Sequence, residues 1–210
     1  MPPITKIWFA KIKPSTKTDS PEFHDIWTTV LQFCNQQSGK EAAGHTLWQD
    51  INDSKNLIFI SGYPSQESTD AADSLYVKTH APKLMEFVEN DGIVQLSRDV
   101  TELPIKDAFV SLGLYGQGQG GGAAGFEKSS KGIQSLLQGM EGNTGTLSGK
   151  DEWPAILRRR KGLAPDTNAE DTVVVVSGWK SDQYYQSAVK RLNQQSLPPR
   201  KLSIYKKIME

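Results

Sequence analysis

The stretch NLIFISGYPSQESTD, residues 56–70, decides how this chain is read. Its first half is a run of strand-forming apolar residues that ends in Ser61-Gly62-Tyr63. Pro64 interrupts the run, and Ser65 stands where a side-chain hydroxyl can open a helix. The same succession returns as TVVVVSGWKS, residues 172–181. There Val176-Ser177-Gly178-Trp179 aligns residue for residue with Ile60-Ser61-Gly62-Tyr63, and Ser181 stands where Ser65 does. Two strand-to-helix junctions of one design predict two diverged copies of one α+β unit, the first over residues 1–103 and the second over 104–210.

Working outward from the first junction, residues 4–12 read as a strand with bulky groups on both faces (Ile7 and Phe9, Trp8 and Ala10), which predicts burial on both. Ser20 is placed as an N-cap with Pro21 at the first helical position. Residues 22–37 then carry apolar side chains at helical spacing, and Gly39 closes the helix. Residues 45–51 and 57–63 form a predicted hairpin. Residues 65–90 read as a helix broken near Ala81-Pro82 and ended by Gly92, and 93–100 as a fourth strand. The order is β-α-β-β-α-β, the ferredoxin-like unit.

The second half repeats the order more loosely. Residues 108–115 are a strand, 116–125 a glycine-rich segment, and 126–140 a helix. Residues 141–150 read as a Gly-, Thr- and Ser-rich connection, 153–157 as a strand and 158–170 as a polar excursion. A strong strand (172–179), a helix (181–195) and a last strand (199–208) complete the set. A four-stranded sheet of this kind covers one face with its own helices and leaves the other needing a partner. The expected fold is therefore α+β: two tandem ferredoxin-like units packed as an intramolecular α/β barrel.

Composition narrows the function class. The 210 residues carry 24 basic and 24 acidic side chains, a net charge of zero, without the basic excess that nucleic-acid binding requires. No run is long enough to span a bilayer, and the first residues lack the apolar core of a signal peptide. One cysteine, Cys34, excludes an intrachain disulfide, and its place on an apolar helical stripe makes it a small core residue. The expectation is a soluble cytoplasmic protein, monomer or homodimer, with a small hydrophobic or aromatic ligand and neither nucleic acid nor membrane as partner.

The unit order, the strand ending in Ser-Gly-Tyr or Ser-Gly-Trp before a Ser-led helix, and the duplication resemble the dimeric α/β-barrel superfamily. Its members include antibiotic-biosynthesis monooxygenase-type and EthD-type proteins, polyketide cyclases and stress-responsive barrel proteins. The resemblance implies a ligand pocket between each sheet and its helices, without implying one chemistry. Residues 76–82, Tyr-Val-Lys-Thr-His-Ala-Pro, are similar to a Tyr-x3-His-x-Pro wording in EthD-like sequences, where it lies on the first helix rather than the second. Heme-degrading relatives use an axial histidine with an Asn or Trp pair; Trp8, Trp48 and Asn56 are present here without that spacing.

The chain has three histidines, His24, His45 and His80. His80 follows Tyr76 by four residues, so both project from one helix face. A neutral imidazole can take a proton next to a carbonyl while a phenol donates to the developing oxyanion. His45 opens the second strand, on the face shared by Leu47, Gln49 and Ile51, and is the next candidate base. Trp8, Trp48, Phe59 and Tyr63 are the expected pocket-lining aromatics. The histidines are too widely spaced to announce a metal site, and no metal or cofactor is expected.

Gly120 to Gly125 satisfies G-x-G-x-x-G between a strand and a helix, yet no parallel partner strand with a terminal acid follows, and a linker or lid reads better. Residues 145–150 fall one residue short of a Walker A loop. Residues 158–161, Arg-Arg-Arg-Lys, make a basic cluster expected at a hairpin end. The functional expectation is a cofactor-independent enzyme of secondary metabolism. Cyclase, isomerase, dehydratase or decarboxylase chemistry would act on a polyketide-like or aromatic substrate, with His80, Tyr76 and His45 as catalytic residues. The alternatives are a non-catalytic ligand-binding or stress-responsive barrel, and a cofactor-dependent monooxygenase-like protein.

Overall fold

The computed structural model describes residues 2–39, 44–116, 123–166, 171–192 and 201–210. Two compact units are present: residues 1–101 together with 207–210, and residues 102–206. The first contains β1 (Ile4–Ile12), α1 (Pro21–Ser38), β2 (Thr46–Asp50), β3 (Asn56–Tyr63), α2 (Gln66–Thr79), α3 (Ala81–Leu84) and β4 (Val88–Leu96). The second contains β5 (Phe109–Gly116), α4 (Ala123–Gln138), β6 (Asn143–Lys150), α5 (Trp153–Arg160), β7 (Thr172–Trp179) and α6 (Asp182–Leu192), and it holds β8 (Lys201–Met209) through Lys206. Strand order is β4-β1-β3-β2 in the first unit and β8-β5-β7-β6 in the second. The pairings of β1 with β3 and β4, β2 with β3, β5 with β7 and β8, and β6 with β7 are antiparallel. This is the expected α+β, ferredoxin-like arrangement.

The junction motif falls at one register in both units. Lys6 faces Ser61 and Thr5 faces Gly62 across β1 and β3. Ser111 faces Ser177 and Val110 faces Gly178 across β5 and β7. Both glycines lie inside strands rather than at turns, which changes the reason they are glycines. A Cβ on Gly62 would stand 2.2 Å from a methyl of Val100, and one on Gly178 would stand 2.6 Å from the carbonyl oxygen of Pro104. Each glycine therefore admits the chain segment that crosses it.

In the first unit the helix side of the sheet packs Ala10, Ile12, Leu47, Leu57 and Phe59 against Phe23, Trp27, Val30 and Leu31 of α1. Ser20 caps α1 by accepting a hydrogen bond from the Phe23 amide, with Pro21 at the first turn as the sequence predicts. Each large apolar side chain so buried contributes about 1.5–3 kcal/mol. Helix α2 is held differently. It buries only Thr69 and Ala72. Beyond the packing of Tyr76 on the α1 core, it is tied by polar contacts: Lys6 Nζ to Asp73 Oδ1 at 2.6 Å, and Gln95 Nε2 donating to Gln66 Oε1 at 2.6 Å. The opposite sheet face is apolar as well, with Ile7, Phe9, Trp48, Ile58, Ile60, Val94 and Leu96 buried, so β1 is buried on both faces as its sequence predicts.

Several boundaries differ from the sequence reading. The helix does not continue to Asn90; β4 starts at Val88, and Gly92 sits in it at a bulge where Phe9 pairs with Gly92 and Ala10 with Asn90. The first half of β4 is polar and exposed because only Val88 reaches the core, so it lacks a strand's alternation. Residues 143–150 form strand β6 rather than a connection, and this excludes a Walker-type loop there. Residues 153–157 belong to helix α5 rather than a strand, which puts Arg158, Arg159 and Arg160 in a helix's last turn instead of a hairpin end. A strand of Ser, Thr and Gly hides from a hydrophobicity reading because its partners are polar. Ser148 Oγ donates to Gln134 and accepts from Ser130 of α4, and Thr146 meets Ser177 at 2.9 Å. Residues 117–122 of the glycine-rich segment lie outside the described residues.

Replacing Gly62 by alanine should cost about 1–3 kcal/mol of stability by overpacking, and truncating Val100 to alanine in the same chain should recover part of it. Gly178→Ala should cost as much without such rescue, because the obstructing atom is a backbone oxygen. Urea denaturation of the three variants checks both statements; equal stability of Gly62→Ala and the parent would refute the close approach.

Candidate functional site

The chemistry-bearing side chains of the first unit gather on the helix side of its sheet, under α1 and α2. Register puts Lys6 of β1 beside Ser61 of β3, two residues before Tyr63. The Tyr63 hydroxyl donates to Cys34 Sγ of α1 at 3.6 Å, and both groups are buried. Burial pushes the Cys34 thiol up from its ordinary 9.0 to about 11, partly offset by the Tyr63 hydrogen bond and by Lys6. Burial also raises the Tyr63 phenol well above 10.0, with Cys34 adding to it. Neither group ionises near neutral pH, so both serve as proton donors or packing groups rather than nucleophiles.

Tyr76 and His80 lie one turn apart on α2 and its C-cap, as their spacing predicts, with ring centroids 6.4 Å apart. Phe33 of α1 unites them: its ring is 4.6 Å from that of His80 and 6.2 Å from that of Tyr76. The Tyr76 hydroxyl is buried and has no hydrogen-bond partner among the described residues. Burial raises its pKa above 10.0, followed by the influence of Cys34 and Asp73. It is therefore a phenol that keeps its proton throughout the physiological range. His80 is half-buried, so its imidazole keeps access to solvent.

His45 does not join this pair. It precedes β2, and its ring is buried between the end of α1 and the end of β3. Nε2 lies 3.0 Å from Ser38 Oγ, and the ring stands edge-on to Tyr63 at 6.0 Å. It shares the helix side with Leu47, while Ile51, expected on the same inward row, lies beyond the strand and is exposed. The four expected pocket aromatics also separate. Trp8 and Phe59 pack in the α1 core and Tyr63 meets Cys34, whereas Trp48 lies on the opposite sheet face. There its indole donates to Thr46 Oγ1 at 2.7 Å and its ring carries Lys207 Nζ at 5.2 Å. Trp8 donates to Asn90 Oδ1 at 2.6 Å. His24 is exposed in the first turn of α1.

Sequence reasoning passed over Phe33, Lys6 and Asp73. Phe33 follows Val30 by three residues and reads as one more core residue of α1, so nothing in its spacing points to His80. Lys6 reads as one of several strand lysines, yet its side chain is only 9% exposed and pairs with Asp73. Among the described residues of the second unit this pair has no counterpart: Ser111 takes the register position of Lys6, and it accepts from Trp179 Nε1 at 2.8 Å. Among the described residues no group of three or more His, Cys, Asp or Glu side chains converges as a metal ion would need, and no helix is long and apolar enough to cross a membrane.

No family model and no curated protein sequence matches the chain. Solved structures do. A chlorite dismutase-like protein aligns over 100% of this chain and 96% of its own, with a TM-score of 0.60 and 7% identity. A heme-binding protein from Thermus thermophilus aligns over 99% and 91%, with a TM-score of 0.56 and 10% identity. An anthrone oxidase-like protein aligns over 98% and 91%, with a TM-score of 0.53 and 12% identity. At these identities the likeness is one of fold.

Two outcomes follow from the buried acids. A thiol reagent at pH 8 should modify native Cys34 far more slowly than the urea-unfolded chain. The raised pKa values of Cys34 and Tyr63 favour the protonated forms in the folded state; the Cys34 contribution to stability is complete below pH 9 and falls as pH rises through about 11, and the Tyr63 contribution is complete below pH 10 and falls only well above it. Urea midpoints measured from pH 7 to 11 should decline above 9, less steeply in Cys34→Ala.

Proposed function

We propose that the first unit is the reactive half of a small-molecule enzyme that removes a proton from a carbon activated by a carbonyl group, either beside it or conjugated to it through an aromatic ring. His80 is the base: its imidazole takes the proton from carbon. Tyr76 is the donor: its phenol hydrogen-bonds the carbonyl oxygen as that oxygen gains negative charge. Phe33 holds both rings in place. The step needs a proton acceptor and a proton donor, so it proceeds without a resident cofactor. His45, committed to Ser38, supports the packing behind Tyr63.

The observation that carries this reading is the Tyr76 hydroxyl, buried without a partner among the described residues one helical turn from an accessible imidazole. Leaving a buried hydroxyl unsatisfied costs about 1–3 kcal/mol, which a substrate oxygen would repay. The fold shared with an anthrone oxidase-like protein supports an enolisable aromatic ketone as substrate class. We further take the two units to be diverged copies, supported by their common strand order and the common register of the Ser-Gly-aromatic motif.

Anthrone is a suitable probe. Deprotonation at its methylene carbon gives the enolate, which dioxygen oxidises; the net reaction converts anthrone and one dioxygen to anthraquinone and one water. Anthraquinone formation, followed by absorbance above the uncatalysed rate, should fall by about 10²–10⁴-fold in His80→Gln and about 10²-fold in Tyr76→Phe. Tyr76→Phe should be as stable as the parent or more stable, because it removes an unsatisfied buried hydroxyl. Catalysis that survives both substitutions in folded protein would sink the assignment.

A further inference from the structure

The second unit holds a separate cleft of about 340 Å³ between the end of α4 and helix α6. Its floor is apolar, made by Met140 and Ala188, which are 6% and 2% exposed. Its rim is polar: Glu141 on one side, and Gln183, Ser187 and Arg191 from successive turns of α6 on the other. Tyr184 forms a wall. The volume lies at the small end of the range for ligand sites, which suits a molecule of a few heavy atoms rather than a polyketide.

Two features distinguish this cleft from an ordinary groove. Glu141 and Arg191 carry opposite charges in one small space, yet among the described residues neither forms an ion pair or a hydrogen bond with the protein. They are therefore too far apart to neutralise each other directly, and a molecule with both charges would join them. The second feature is preorganisation. Gly142 follows Glu141 with φ of +74°, and a Cβ there would stand 2.1 Å from the Tyr184 ring. Tyr184 thus packs on the bare backbone of Gly142, and Lys180 N donates to the Gly142 carbonyl at 2.9 Å. The turn and the tyrosine fix each other, so the wall stands without a ligand.

We infer that this cleft binds a small zwitterion of the α-amino-acid class. Arg191 takes the carboxylate, with Ser187 and Gln183 as additional donors. Glu141 takes the ammonium, which also meets the Tyr184 ring. The amino-acid side chain rests on Met140 and Ala188. The site is independent of Tyr76 and His80 and stands whether or not those residues catalyse a reaction.

The rim is open to water, so affinity is set by exposed charge pairs and falls in the millimolar range. The test is a titration of the whole protein with L-leucine, followed by the amide resonances of Gly142, Gln183 and Ser187. Saturable shifts confined to these neighbours are expected. Arg191→Gln and Glu141→Gln should each weaken binding about fivefold, the upper end for exposed pairs. Both positions lie on the surface, so the variants should keep the parent's far-ultraviolet dichroism. N-acetyl-leucine lacks the ammonium and leucinamide lacks the carboxylate; both should bind at least as weakly as the variants do. The inference is overturned if L-leucine produces no saturable shift, if either substitution leaves its affinity unchanged, or if N-acetyl-leucine binds as well as leucine, which would mark the cleft as a plain anion site.

Discussion

Val100 occupies a space that two missing side chains leave open. Its methyl would stand 2.2 Å from a Cβ on Gly62 and 2.6 Å from one on Gly44, and Val100 itself is fully buried. The segment after β4 is tied down beside it, because Thr5 Oγ1 donates to the Arg98 carbonyl at 2.9 Å. This close approach fixes more than a loop. Side chains alternate along a strand, so once Gly62 is committed to the face that Val100 covers, Tyr63 must point to the other. That places its hydroxyl on Cys34 and its ring against His45. A one-residue slip of β3 would move Tyr63 out of the helix layer and a side chain into Val100. Pro104 over Gly178 imposes the same choice in the second unit, where Trp179 then reaches Ser111.

From that shared constraint the units diverge in what they bury. The register position that holds Lys6 in the first unit holds Ser111 in the second. One is a buried ammonium that needs Asp73; the other is a neutral acceptor for an indole. A buried charge left without its partner costs several kcal/mol, so Lys6 obliges α2 to keep an acid three residues before Tyr76. The first unit's α2 is consequently docked by an ion pair and a glutamine pair over a thin apolar contact. The charged tether and the orphan phenol stand on one helix, and that coupling has no equivalent among the described residues of the second unit.

Much of the architecture was legible in the sequence because its signals are local. The limits of β1, the Ser20 cap, and the strong apolar runs of β3 and β7 follow from spacing and composition alone. So does the pairing of Tyr76 with His80, since four residues is one turn of a helix. What escaped reading depends on tertiary partners. Strand β6 is polar because Ser130 and Gln134 of α4 meet it, and β4 begins with polar residues because most of its first half faces water. His45 looked like an inward strand residue, but the strand begins after it and its ring turns to Ser38. Phe33 could be found only by seeing two helices at once.

The junction motif illustrates where such reading misleads. Its glycine and aromatic recur, so they look like a site, yet both are explained by packing. Gly62 and Gly178 make room for Val100 and Pro104, and the aromatics follow from strand alternation. A repeated feature is the one the fold requires of both units. Chemistry is then to be sought in residues the fold does not require. Tyr76 meets that condition, because phenylalanine would fill the same space beside Phe33 without an unsatisfied hydroxyl. Arg191 and Glu141 meet it too, because among the described residues neither has an ion pair or hydrogen bond that its charge would explain. A costly or unused polar group is the physical mark that separates these positions from the architecture around them.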